Sequence, residues 1–418
     1  MKRIIFLVCC LCLVAFTQSD NSIWLQKASY GGGKIRDVTS FTIGDFAYVG
    51  AGSDQPWLGS YSRTFYRYDG SLDVWKRIAD LPSPARARIR ANGLSIGTKG
   101  YICGGSMDDP IAWFYSIGDM WEYDPSTNFW YQRANFPRVG GISNGSSFSI
   151  GLKGYVGLGK VWQNPSFGEK NDFYEFDPQL NKWTQLQDFP GAPREDAVGF
   201  SMNGKGYIGL GNYLESGSYK TICFKDFWEY DPVTDNWTRL PDFPGEGRSD
   251  VIGYGINGCC YIGLGQINDF YKYDVNNKTW TILNYLPGAV RYTPLSFYVG
   301  SDIYYGGGSN GNSTTYADVW KYSTGSVTSV AKKLEIEDFK CFPNPLIDRL
   351  EIEMPENHQI AKIKITDMSG KVVVVYENNH NMINHNELNL SSLLNGYYTI
   401  TIEDQDRKLF TKKLLKSK

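Results

Sequence analysis

At 418 residues with a formal net charge of −2, the chain has room for two or three domains and no basic surplus to hold nucleic acid. Its 45 glycines, 12 tryptophans and 15% aromatic content point to many short strands joined by tight turns, and away from a helix-rich fold.

The chain opens as a secretory signal. Lys2 and Arg3 precede an apolar run from Ile4 to Phe16, too short to span a bilayer, and polar Thr17, Gln18 and Ser19 follow it. The signal is expected over residues 1–19. No later run is apolar enough for a membrane helix, so the mature chain is expected to have none. Five cysteines then remain, Cys103, Cys223, Cys259, Cys260 and Cys341. Their number and scatter do not describe a disulfide scaffold, and adjacent Cys259-Cys260 does not suit a tetrahedral metal site. No metal and no cofactor are expected.

One unit then recurs: an apolar strand ending in a Gly-containing turn, a loop, an Asp-aromatic strand, and a strand bearing Trp. From each Trp to the last Gly of the following glycine motif, 24→52, 75→105, 130→159, 183→211, 237→265 and 280→308, the interval stays between 28 and 30 residues. From the start of the aromatic strand to its Trp, 64→75, 119→130, 172→183, 226→237 and 269→280, it is always 11. Only the loop between them varies, and it is shortest between Gly265 and Asp269. A constant frame with one variable segment predicts a repeated four-stranded sheet carrying loops on one face, the blade of a six-bladed β-propeller. The last aromatic strand, at Asp318, has Ser329 where its Trp is due, whereas Trp24 precedes the first unit. Residues 23–28 are therefore expected to complete the last blade and close the ring.

After Tyr322 a Ser/Thr/Gly linker leads to a compact β pattern. Strands are expected over Arg349 to Met354, Ala361 to Thr366, Val372 to Tyr376 and Tyr397 to Glu403, a small β-sandwich. The expected domains are a signal at 1–19, a propeller at 20–322, a linker at 323–340 and a tail domain at 341–418.

The repeat resembles the kelch family, which implies an all-β, six-bladed propeller over roughly Ile23 to Tyr322. The tail, with Pro343-Asn344-Pro345, a turn at Gly370-Lys371, Gly396-Tyr397 and a basic final strand, resembles the C-terminal sorting domain of the type IX secretion system. That resemblance implies a Bacteroidetes-type cell, the secretion machinery as a partner, and delivery through the periplasm to the outer surface or beyond.

All three histidines, His358, His380 and His385, lie in the tail. The propeller therefore lacks the imidazoles that a copper site like that of galactose oxidase, or a His-based nucleophilic scheme, needs. The approach to each inner strand carries an arginine: Arg36, Arg88, Arg138, Arg194, Arg248 and Arg291. The loops on the same face carry Trp57, Trp113, Trp162, Tyr213 and Tyr219. Aromatic faces with guanidinium donors suit a glycan, a peptide or a protein ligand, although the same arginines also suit loop carbonyls. The pocket is expected to open beside the short fifth loop, between Tyr213, Tyr219, Arg248 and Arg291. The sequence reads best as a binding module with no assignable catalytic residue. The alternative is a carbohydrate-active hydrolase or epimerase using carboxylates near the inner-strand starts: Asp37, Glu195, Asp196 and Asp250.

Overall fold

The computed structural model describes residues 24–55, 61–107, 115–215, 217–218, 220–311, 313–324, 339–344, 346–354, 360–367, 372–377, 387–405 and 409–417. The expected signal, Trp57, Trp113, Tyr219, Pro345, Gly370 and Lys371 lie outside the described residues. The chain forms two compact units, Met1–Ser326 and Val327–Lys418. All regular structure among the described residues is strand.

The first unit is a six-bladed propeller. Each blade is a four-stranded antiparallel meander; in blade 1 the strands are Thr39–Ile43, Phe46–Gly50, Phe65–Asp69 and Val74–Arg77, from the axis outward. The inner strands of blades 2 to 6 are Asn92–Ile96, Ser146–Ile150, Val198–Met202, Ile252–Ile256 and Leu295–Val299. Blade 6 takes its outermost strand from the other end of the unit: Trp24–Lys27 pairs antiparallel with Val319–Ser323, with Trp24 opposite Tyr322. This is the closure expected from Ser329 and the surplus Trp24.

One hydrogen bond made by tryptophan shows why the spacing is so strict. The indole N–H of Trp75 donates to Ala28 O (3.1 Å), Trp130 to Ala79 O (2.8 Å), Trp183 to Ala134 O (2.9 Å) and Trp237 to Gln187 O (3.1 Å). Trp280 donates to Pro241 O (3.4 Å), and Trp24 completes the circle on Asn284 O (3.3 Å). Each acceptor lies four residues after the Trp of the preceding blade, so every Trp latches its blade to the previous one. The ring stacks in the blade interface, as Trp130 does against Phe65 and Tyr123, both with centroids 5.0 Å away.

The second unit is a β-sandwich. A three-stranded sheet, Lys340–Phe342, Arg349–Glu353 and Glu387–Asn389, belongs with a four-stranded sheet of order Val372–Glu377, Ile360–Asp367, Gly396–Asp404, Leu409–Lys416. Its core is aliphatic: Leu350 and Ile352 from one sheet, Ile363, Ile365, Ile400, Ile402 and Leu414 from the other. The four expected strands are all present, and three short or terminal strands complete the sheets.

Candidate functional site at the propeller axis

The chain enters every inner strand through one residue in the left-handed backbone region: Asp37, Arg90, Asn144, Asp196, Asp250 and Thr293, with φ between 46° and 59°. Asn and Asp tolerate this conformation through local hydrogen bonding, whereas Arg and Thr are strained in it. A backbone hydrogen-bond chain runs round the axis from Asp196 through Asn144, Arg90 and Asp37 to Thr293, with Asp250 outside it. Asp37 N–H donates to Thr293 O (3.2 Å), Arg90 N–H to Asp37 O (2.9 Å), Asn144 N–H to Arg90 O (3.2 Å) and Asp196 N–H to Asn144 O (2.9 Å). All six residues line one axial cavity of about 160 Å³. Below it the inner strands enclose a shaft of about 280 Å³ lined largely by Ser, Thr and Gly, including Ser40, Gly93, Ser147 and Gly199.

The charges of this cavity are arranged unequally. The Asp37 side chain is fully buried between two guanidinium groups, bonded by Arg36 Nη1 and by Arg90 Nε at 2.7 Å. Arg36 Nε also donates to Gln55 O (2.6 Å). Arg90 keeps 29% of its side chain exposed, and among the described residues its two Nη atoms form no hydrogen bond. Its outer fork is therefore aimed into solvent-accessible space while Nε is pinned from behind, the arrangement that receives a carboxylate in bidentate fashion. Burial opposes the charge on Arg90, but Asp37, Asp196 and Asp250 more than offset it and hold the guanidinium protonated.

Opposite this cation stand carboxyl groups that ionise reluctantly. Burial pushes Asp196 well above the ordinary carboxylate range, and repulsion from Asp250 and Glu195 adds to it against the pull of Arg90. Burial also raises Asp250, opposed by Arg90 and by the Gln266 amide, which bonds its Oδ2 at 3.1 Å. Glu195 is raised by burial in spite of Lys160, whose Nζ lies 3.2 Å from Oε1. Its other oxygen, Oε2, accepts a hydrogen bond from Asn144 Nδ2 at 3.0 Å. Lys160 is itself buried, yet Glu195 and Glu169 together raise its pKa. Such a cluster sets two fixed cations, Arg90 and Lys160, beside carboxyl groups that hold their protons above the ordinary carboxylate range.

The arginines expected at the binding face are distributed differently. Arg88, Arg138, Arg194, Arg248 and Arg291 are buried, each forked onto the Asp that opens the third strand of its own blade: Asp119, Asp172, Asp226, Asp269 and Asp318. Arg88, Arg194 and Arg291 also donate to the carbonyls of Gly104, Leu210 and Gly307. These guanidiniums tie the start of the inner strand to the glycine turn and to the third strand. Two residues before the left-handed one, blade 1 has Ile35, with Thr64 opening its third strand, and blade 3 has Ile142, where Arg138 reaches Asp172 from four residues earlier; Arg36 is one residue out of that register and faces Asp37 instead. Trp162 is half-buried under Lys160, and Tyr213 stacks on Phe224 at 5.8 Å. The axial cavity is lined by neither Arg248 nor Arg291, whose side chains are buried on Asp269 and Asp318 within their own blades.

The acids Asp37, Glu195, Asp196 and Asp250 are legible in the sequence as residues near the inner-strand starts. Arg90, Asn144 and Lys160 escape that reading. For Arg90 the signal is register: Arg90 and Asp196 each follow a blade arginine by two residues, as Asp250 and Thr293 do, whereas Asn144 follows Arg138 by six.

In the tail, Asn344 Oδ1 accepts the Leu415 N–H at 2.8 Å, Leu346 N–H donates to Leu415 O (2.8 Å), and Ser417 N–H donates to Leu346 O (3.0 Å). The segment after Pro343 is thus fastened to the last strand, where buried Lys416 bonds Ile347 O and Asp348 Oδ1. Gly396 opens the strand opposite Lys416, Tyr397 is exposed, and Tyr398 donates to Leu394 O at 2.8 Å.

Residues 340–417 match the family described as secretion system C-terminal sorting domain. Over 117 residues, 27% of this chain and 28% of the relative, the chain is 33% identical to an N-acetylneuraminate epimerase of Yersinia enterocolitica serotype O:8. Over 119 residues it is 31% identical to one of Pasteurella multocida strain Pm70, covering 28% of this chain and 29% of the relative. The matched stretch thus spans under a third of these relatives' length. The solved structure of YjhT superimposes with a TM-score of 0.58 at 16% identity, covering 71% of this chain and 97% of that one, a likeness of fold. The chain joins a six-bladed kelch-type β-propeller to a type IX C-terminal sorting domain.

Proposed function

We propose that this is an exported propeller, delivered to the cell surface or the medium, that binds a sugar acid at its axial cavity. The observation that carries this reading is the free fork of Arg90, held from behind by buried Asp37 and facing Asp196, whose carboxyl burial holds above the ordinary range. A carboxylate bonded to that fork would place the sugar's hydroxyls among Asn144, Asp196 and Asp250, all donors or acceptors. The partial likeness to N-acetylneuraminate epimerases supports an acidic monosaccharide as the ligand type. The sorting tail supports export.

A second reading, turnover, is favoured by the raised Asp196 and Glu195. Two carboxyl groups that burial holds above the ordinary range, Asp196 lining the cavity and Glu195 next to it in the chain, would allow proton transfer at the ring oxygen and anomeric hydroxyl, the chemistry of anomer interconversion.

Calorimetric titration of the protein with N-acetylneuraminate and with N-acetylglucosamine tests the first reading. The acidic sugar should bind, the neutral one should bind at least about tenfold more weakly, and Arg90→Ala should abolish the difference, since each tenfold step is about 1.4 kcal/mol. Equal binding of both sugars, or unchanged binding in Arg90→Ala, would refute it. Proton NMR of the two anomers with and without protein, and with Asp196→Asn, tests the second: faster interconversion lost in the variant supports it, and no acceleration removes it.

A further inference from the structure

Three consecutive blades raise hairpins on the face that holds the axial cavity: Ser106–Met107 with Tyr115–Ser116, Lys160–Val161 with Gly168–Glu169, and Asn212–Leu214 with Thr221–Cys223. They are joined side to side. Trp162 N–H donates to Ser116 Oγ (3.1 Å), Gln163 Nε2 donates to Ser116 O (2.9 Å), and Leu214 N–H reaches Glu169 Oε1 (3.5 Å). Blade 5 has no such hairpin; its third strand begins at Phe270, directly after the short link from Gly265. The axial cavity therefore has a wall over blades 2 to 4 and a low side at blade 5.

The middle hairpin is built around one buried cation. Lys160, 3% exposed, bonds Glu169 at 2.9 Å and Glu195 at 3.2 Å, and its Nζ lies 4.4 Å from the Trp162 ring centroid and 5.7 Å from that of Phe167. The two rings meet edge to face at 6.3 Å. Phe167 nevertheless leaves 56% of its surface in solvent. An aromatic side chain fixed by cation–π contact, yet exposed on a rim, is a stacking surface. Glu195 ties it to the cavity, since its neighbour Asp196 lines that cavity. At about 160 Å³ the cavity is smaller than the roughly 300–1,000 Å³ of pockets that enclose a whole drug-sized ligand. A ligand longer than one ring must continue over the rim.

We infer that Phe167, braced by Trp162 and Lys160, is a second carbohydrate subsite, and that the propeller recognises an acidic sugar as the terminal unit of a glycan. The acidic ring occupies the axial cavity, and the adjoining neutral ring stacks on Phe167. This rests on the sugar-acid reading of the cavity, and the test separates the two. Calorimetry would compare free N-acetylneuraminate with α-linked sialyl-lactose, on the unaltered protein and on Phe167→Ala and Phe167→Trp. Phe167 is exposed, so neither variant threatens the fold. The trisaccharide should bind roughly tenfold tighter than the monosaccharide, the size of gain that one good stacking contact brings. Phe167→Ala should erase that gain without changing monosaccharide affinity, and Phe167→Trp should keep it. A trisaccharide no tighter than the monosaccharide, or a Phe167→Ala variant that leaves the gain intact, overturns the subsite and leaves the cavity reading standing. Failure of both sugars to bind overturns both.

Discussion

Asp196 is the most consequential titratable group in the axial cavity. Its folded pKa stands above the unfolded one, so the folded state binds more protons in the window between them. Stability therefore falls as pH rises from the ordinary carboxylate range through the raised value, with a slope of at most about 1.4 kcal/mol for each pH unit crossed. Asp196→Asn should raise the melting temperature at neutral pH and flatten its dependence on pH above the ordinary carboxylate range. A melting temperature unchanged or lowered at neutral pH would show that the carboxylate is stabilised there. The same protons should govern ligand affinity. Protonating Asp196 or Asp250 leaves Arg90 less neutralised, so N-acetylneuraminate should bind more tightly at pH 5 than at pH 8; titrations giving the reverse order would contradict this arrangement. These acids can be found in the sequence because propeller geometry puts inner-strand starts at one face. Arg90 stands out only by register, two residues after Arg88, because an arginine near a strand start otherwise looks alike whether it is buried on Asp119, as Arg88 is, or turned to the axis.

At the scale of the blade, two pairs of positions change together. Where an arginine reaches the third strand that strand opens on Asp, in blade 3 from Arg138 because Ile142 holds the usual position, and in blade 1 both are lost, as Ile35 and Thr64. The residue whose carbonyl accepts the Trp latch also gives its N–H to an Asx side chain of the next blade: Ala28 to Asp73, Ala79 to Asn128, Ala134 to Asn181 and Gln187 to Asp235. At Pro241 there is no N–H to give, and the matching Asx position is Lys278. Arg194→Ala would strand Asp226, whose pKa burial pushes up but Arg194 holds below the ordinary value. Urea unfolding should show a loss of about 3–5 kcal/mol, the cost of breaking a buried pair. Trp130→Phe removes the latch to Ala79 while keeping an aromatic ring, and should cost about 1–2 kcal/mol from the lost bond and smaller ring. A cost below about 0.5 kcal/mol in Arg194→Ala would place that ion pair outside the stabilising frame. Spacing reveals this frame readily, because a constant interval of 11 residues is what a repeated hairpin and latch require. It does not reveal which arginines the frame consumes, since pairing with Asp119 or Asp226 is a contact across three strands.

For the molecule as a whole, closure is a strand exchange between the two ends of the propeller. Trp24 packs on Phe270, Tyr305 and Tyr322 and repeats the latch of the other five tryptophans. Deleting residues 23–28 exposes that interface and an unpaired edge at Val319–Ser323, so the melting temperature should fall by several degrees and the protein should self-associate. An unchanged melting temperature would mean the ring holds without the exchange. The tail is the other large-scale feature readable in the sequence, through the order of its motifs more than through its strands; the fastening of Asn344 to Leu415 joins residues 71 apart and is visible only in the fold. A sugar-acid site on the propeller axis can be tested by a crystal structure of the protein soaked with N-acetylneuraminate. The sugar carboxylate should lie within hydrogen-bond distance of both Arg90 Nη atoms, with the ring between Asn144 and Asp250. A sugar bound on the opposite face, or on the rim with the Arg90 fork unoccupied, would rule out the axial site.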